Sequence, residues 1–137
     1  MCYVASVKRS STDPSLTRTE IAEEMIDPCV AVHVSGELDL ATVGGLEERI
    51  ERALAQRSGA LLIDFTDCGF IDSSVLSLLV KLNRRLGNST PARFAIVATG
   101  QPLQVVRLTQ LDREMAVFVT LAEALTALQG GDGASRL

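Results

Sequence analysis

The sequence predicts a single α/β domain with a mixed, mostly parallel sheet, and three observations carry that reading. Apolar periodicity switches repeatedly between two and 3.6 residues along the chain. The runs Ala60–Phe65 and Arg93–Ala98 are largely apolar on both faces, the pattern of parallel strands buried beneath helices. A length of 137 residues, with 47% hydrophobic and 22% charged content, suits one compact core.

The elements follow in order. The first 17 residues hold Ser6, Ser10, Ser11, Thr12, Ser15 and Thr17 with few large apolar side chains, so they read as a flexible Ser/Thr-rich tail. Glu20 to Ile26 is an expected strand, paired across the turn Asp27-Pro28 with Cys29 to Ser35, where Val30, Val32 and Val34 alternate. Val43, Leu46, Ile50, Ala53 and Leu54 form one stripe of a helix that Thr42 can cap and Gly59 follows. Ala60 to Phe65 is a buried strand, and Thr66 to Ser74 reads as a loop. Ser73 stands at the expected N-cap of a second helix with a wide apolar face, Val75, Leu76, Leu78, Leu79, Val80, Leu82 and Leu86, ended by Gly87-Asn88. Arg93 to Ala98 is a further strand. Pro102 suits the first turn of a helix through Leu108, Val117 to Val119 is a short strand, and Thr120 to Leu128 is a last helix. Residues 129–137 read as a Gly-rich flexible tail, so the domain spans 18–128. Strands alternating with helices imply right-handed crossovers, with function in the loops at the carboxyl ends of strands: Gly36 to Thr42, Thr66 to Ser74 and Thr99 to Pro102.

Composition excludes several classes. No apolar run approaches the roughly 18 residues of a membrane span. Lys8 and Arg9 precede no hydrophobic block, which argues against a signal peptide. Cys2, Cys29 and Cys68 are odd in number and irregularly spaced, so free thiols in the cytoplasm are expected. A net charge of −4 with no basic stripe makes nucleic acid a poor partner.

The chemistry-bearing residues are few. The one histidine, His33, sits mid-strand and reads as an ordinary sheet-surface residue. It is ~13 Å along the strand from Cys29, too far to share a zinc ion, so no metal is expected. Asp64, Asp67 and Asp72 follow one strand and could mark a magnesium-dependent phospho-acceptor site as in receiver domains. Such a site also requires a lysine near the last strand, where Thr120-Leu121-Ala122 stands instead. No phosphate-cradling glycine pattern is present, so no cofactor and no catalytic residue are assigned. The turn Asp72-Ser73-Ser74 differs in kind. Beyond it Ser73, Ser77, Lys81, Arg84 and Asn88 recur every three or four residues on one face, a stripe that permits a partner surface.

Taken together, Gly36-Glu37-Leu38-Asp39, Leu61-Leu62-Ile63-Asp64-Phe65, Phe70-Ile71-Asp72-Ser73-Ser74 and Pro102 to Leu108 with Leu111-Asp112 resemble the STAS domain of anti-sigma factor antagonists. The resemblance implies a phosphoprotein of transcription regulation. Ser73 would be phosphorylated by an anti-sigma factor with serine-kinase activity, and the unphosphorylated form would sequester that partner. Asp39, Asp72, Ser74 and Ser77 would lie on the partner-binding side. An alternative within the family is an unregulated or nucleotide-sensing scaffold, stressosome-like or transporter-regulating. Where the family has glycine after the two serines, this chain has Val75, a side chain that a kinase expecting bare backbone would meet. A phosphate on Ser73 would add about −1.5 to −2 charges at a helix N-terminus, where the dipole returns only ~0.3–1 kcal/mol, so it is expected to block association and leave the fold intact.

Overall fold

The structure, a computed structural model, describes residues 2–4, 19–26, 29–56, 59–87 and 93–130. Six strands, β1 (Cys2–Val4), β2 (Glu20–Ile26), β3 (Cys29–Leu38), β4 (Ala60–Ile71), β5 (Phe94–Val97) and β6 (Ala116–Phe118), form one sheet in sequential order. β1, β2 and β3 are antiparallel neighbours, and β3 to β6 are parallel. The helices are α1 (Val43–Gln56), α2 (Ser73–Leu82), α3 (Gly100–Leu108) and α4 (Leu121–Gly130). The α/β class with a mostly parallel sheet is as the sequence predicts.

Because each parallel strand lies beside the one before it, right-handed crossovers put α1, α2 and α3 on the same face. The packing agrees. Val30, Val32, Val34, Leu61, Ile63, Phe65, Phe94 and Ile96 meet Leu46 and Ile50 of α1, Leu78, Leu79 and Leu82 of α2 and Val106 of α3 in one core. α4 lies on the other face, where Ala124 and Leu128 pack on Cys29, Ala31, Ala60, Leu62, Ala95 and Val97.

Several expectations are corrected. Cys2–Val4, inside the stretch read as a tail, pairs with Glu24–Ile26 as β1. Residues 5–18, the turn Asp27-Pro28, Asn88 and residues 131–137 lie outside the described residues. β3 runs on to Leu38 and β4 to Ile71, so most of the expected loop Thr66–Ser74 is strand. Its polar residues suggested a loop because they break the apolar run. The two strands instead pair with each other beyond the rest of the sheet, through Ser35–Asp67, Gly36–Cys68, Glu37–Phe70 and Leu38–Ile71, with register shifts on the way. α2 does not continue to Gly87 as a regular helix. It passes into a π turn over Asn83–Gly87, where a Cβ on Gly87 would sit 2.0 Å from the Asn83 side-chain oxygen. β6 begins one residue before the expected Val117, and α4 extends past Leu128, its first turn capped by the Thr120 hydroxyl accepting from the Glu123 amide at 3.2 Å. Cys29 and Cys68 are buried and not in a disulfide.

Candidate functional site

The N-cap of α2 is Asp72, not Ser73. An extended backbone at Asp72 aims its carboxylate back over the first turn, where it takes up a donor that the helix leaves unpaired. Oδ1 accepts from the Ser74 amide at 3.0 Å and from the Ser74 hydroxyl. The Ser74 hydroxyl, with the amides of Ser74, Leu40 and Val75 behind it, holds the Asp72 carboxyl below its usual range. Capping by Asp72 leaves Ser73 as the first helical residue. Its side chain is exposed, and among the described residues its hydroxyl has no hydrogen-bond partner. The two adjacent serines are therefore unequal: Ser74 is tied to the cap and Ser73 is free for chemistry.

Two neighbouring segments hold this turn in place. Asp72 Oδ2 accepts the Leu40 amide at 3.1 Å, joining the loop after β3 to the turn after β4. Asp39 organises that loop. Its Oδ1 accepts the amides of Ala41 and Thr42 at 3.0 and 3.2 Å and the Thr42 hydroxyl at 3.1 Å, while its own amide donates to the Thr42 hydroxyl at 2.9 Å. Asp39 and Thr42 thus share the start of α1, where the sequence had suggested Thr42 alone. From the other side, the Gln101 amide group pairs with both backbone groups of Ile71, accepting from its N–H at 2.9 Å and donating to its carbonyl at 3.1 Å. Gln101 thereby occupies the edge of β4 beyond the reach of β5. It gets there because Gly100 takes φ 59, a left-handed turn that a side chain would resist.

Val75 turns inward. It is fully buried in the core with Leu78, Leu79 and Leu82, so the substitution for glycine adds nothing to the surface around Ser73. The expectation that it would meet an approaching kinase is overturned by helical geometry: positions 75, 78, 79 and 82 share one face, and 73 and 77 share another.

That outer face borders a groove of about 520 Å³ lined by Ser73, Leu76, Ser77, Val80, Lys81, Arg84, Thr109 and Leu111. Leu76 and Val80, expected in the core, are half-buried and form its apolar floor with Leu111. Leu111 arrives by a tight turn in which Gln110 adopts φ 63, a conformation costing a non-glycine residue about 1–2 kcal/mol. Lys81 pairs with Glu47 of α1 at 2.8 Å, whereas Arg84 is exposed with no partner among the described residues. Leu40 and Leu108, exposed at 76% and 83%, adjoin Asp72 and Thr109 respectively. The sequence reading missed Gln101, Leu40, Leu76, Val80 and Thr109 as site residues. Leu40 and Gln101 carried a signal only as members of the loops Gly36–Thr42 and Thr99–Pro102, and Leu111 as part of a motif.

The acids do not converge. Asp64 lies inside β4 with its carboxylate held by His33 and Thr66, and Asp72 lies at the far end of the same strand. Among the described residues no group of three or more His, Cys, Asp or Glu is placed to hold a metal ion, and no helix is long and apolar enough to cross a membrane.

Comparison with known proteins agrees with this architecture. The anti-sigma-F factor antagonist RsfB of Mycobacterium tuberculosis is 35% identical over 99 residues, covering 72% of this chain and 80% of that protein. A crystal structure of an anti-sigma factor antagonist from Mycobacterium paratuberculosis superposes with a TM-score of 0.73 at 32% identity, covering 87% of this chain and 99% of the other. The unphosphorylated form of the anti-sigma factor antagonist SpoIIAA shares the fold, with a TM-score of 0.61 at 22% identity over 80% of this chain and 98% of the other. The STAS domain family model matches residues 20–124, from the first residue of β2 into α4, and the chain belongs to that family.

Proposed function

We propose that this chain is an anti-sigma factor antagonist: a cytoplasmic binding module, without catalysis of its own, that sequesters an anti-sigma factor with serine-kinase activity while Ser73 is unphosphorylated. The single observation that carries the reading is the inequality of the two serines. Of the two, only Ser73 presents an exposed, unengaged hydroxyl, and it does so at the mouth of an apolar groove next to α2. The relatives named as antagonists of anti-sigma factors supply the partner class.

The geometry also accounts for gating without refolding. Ser73 is the first residue of α2, so a phosphate there meets the positive end of the helix dipole, with Asp72 opposing it. The fold tolerates that balance. A partner lying over Leu76, Val80 and Leu111 must instead bury the dianion at the edge of an apolar contact, and each ~1.4 kcal/mol of that desolvation costs tenfold in affinity. Asp39 and Asp72 act chiefly by shaping the two loops beside the serine, and Ser77 extends the partner surface by one turn.

The test is incubation with the cognate anti-sigma factor and ATP, followed by mass spectrometry of the wild type, Ser73→Ala and Ser74→Ala. Wild type and Ser74→Ala are expected to carry one phosphate on Ser73, and Ser73→Ala none. Phosphate on Ser74, or none on the wild type in a mixture whose kinase modifies another substrate, rejects the assignment. Ser73→Asp is expected to weaken the complex by about tenfold or more.

A further inference from the structure

On the face opposite α1 to α3, beyond the area that α4 covers, three side chains from three adjacent strands form one ionic chain. His33 of β3 makes a 2.7 Å contact from Nδ1 to Asp64 Oδ2 of β4, and another of 2.7 Å from Nε2 to Glu24 Oε1 of β2. All three are mostly buried, with side-chain exposures of 28% for His33, 13% for Asp64 and 18% for Glu24. The sequence had suggested only a surface histidine. Register explains the meeting: Glu24 pairs with Ala31, Ala22 with His33 and His33 with Asp64, so all lie on one face of the pleat.

We propose that His33 is a proton-operated staple across β2, β3 and β4, which holds the β2 strand when the imidazole is charged and lets its side-chain tether go when the proton leaves. Both ring nitrogens face carboxylate oxygens, which only accept. A cationic imidazole donates to both, whereas a neutral one donates to one and sets a lone pair against the other carboxylate. Asp64 is fixed from its other side too, its Oδ1 accepting the amide of Thr66 at 2.9 Å and the Thr66 hydroxyl, and of the two contacts that to Asp64 does more to hold the proton on the ring. Release is assigned to the Glu24 contact, and with it to β2. While it is charged, His33 also has no lone pair to offer a substrate or a metal.

The opposite face of β2 is tethered by a cation that does not titrate in this range. Arg49 of α1 donates from Nε to Glu23 Oε2 and from Nη2 to the Ile21 carbonyl, both at 3.1 Å. β2 thus meets a permanent positive charge on one face and a conditional one on the other. The surroundings contain no competing cation among the described residues. Glu20 is the other acid on this face of β2, Asp67 is exposed beyond the register shift, β5 and β6 carry no charged residue, and the one charged residue of α4, Glu123, is exposed. The hydrogen bond to Asp64, then that to Glu24, raises the imidazole above its ordinary 6.5 against the cost of burial. The tether is complete below 6.5 and is lost as pH rises through that raised value. Its acid limit comes from Asp64, which is held below 3.8 by His33 and Thr66 in spite of burial.

The experiment reads amide-exchange protection of the full chain at about pH 6 and about pH 8.5, corrected for intrinsic rates, together with an NMR titration of the single imidazole. The expected result is that β2 amides lose about tenfold in protection relative to β5 amides on going to the higher pH. In His33→Asn the low β2 protection is expected at both pH values. Arg49→Gln lowers it by the same factor at both, and Glu24→Gln lowers the imidazole titration midpoint without altering the strand. A β2-to-β5 ratio that is equal at the two pH values in the wild type, or an imidazole midpoint at or below 6.5, overturns the proposal even if His33→Asn fails to fold. Neither readout uses a partner protein, so its failure is separate from any failure of the proposed antagonist role.

Discussion

The two faces of the sheet are built on different principles. On the face under α1, α2 and α3, valine, isoleucine, leucine and phenylalanine interdigitate with three helices, and most of the largest fully buried side chains among the described residues lie there. On the face under α4, the sheet offers mainly small side chains, Cys29, Ala31, Ala60 and Ala95, and α4 sits directly on them. Past the end of that helix the same face turns ionic, with Glu24, His33 and Asp64. Sequential strand order with right-handed crossovers sends every connecting helix to one side, so among the described residues the other side has only α4 to cover it. The difference teaches where function can be placed. The first face is rigid enough to present the Asp72-Ser73-Ser74 turn in one geometry, and the second is the place where a titratable contact can substitute for apolar packing.

Four perturbations break or sharpen that contrast. Phe65→Ala empties a fully buried site on the three-helix face and is expected to cost about 3–5 kcal/mol, read as a lower urea midpoint at unchanged slope. Ala31→Leu tests the other face by overfilling it. With α4 packed on alanines, it should cost about 1–3 kcal/mol, and a neutral outcome would mean that α4 is free to move away. Asp72→Ala removes the α2 cap and frees the Ser74 hydroxyl. About 1 kcal/mol of stability should go, and a partner kinase should then discriminate less sharply between Ser73 and Ser74. The smallest effect is on pH. Thermal stability of the wild type should decline as pH rises through the raised His33 value while that of His33→Asn stays flat over the same interval, as differential scanning calorimetry can check.

Much of the fold was legible because each signal is local. The Val30-Val32-Val34 alternation, the Leu46-Ile50-Ala53 stripe and the uniformly apolar Ala60–Phe65 run each report a period that only one kind of element satisfies. The second half of β4 was not legible. Thr66, Asp67 and Gly69 carry loop chemistry, and only pairing with the far end of β3 makes them strand. Ser73 was placed at the right turn but one residue out in role, since propensity alone does not say which of Asp72 and Ser73 will cap. Val75 was read both as part of the apolar face of α2 and as a side chain that a kinase would meet, and its burial decides for the first.

By itself, the sequence determined the order of elements from β2 to α4, the single domain and the turn on which function was sought, because backbone propensity and apolar period act over a few neighbouring residues. The tertiary structure alone decided that Ser74 is tied and Ser73 free, that Gln101 closes the edge of β4, that Leu76, Val80 and Leu111 make one groove, and that His33 joins Glu24 to Asp64. Most of these are contacts between residues far apart in the chain. Their partners are chosen by strand register, crossover handedness and the volume left between packed elements, none of which is written in any short stretch of sequence.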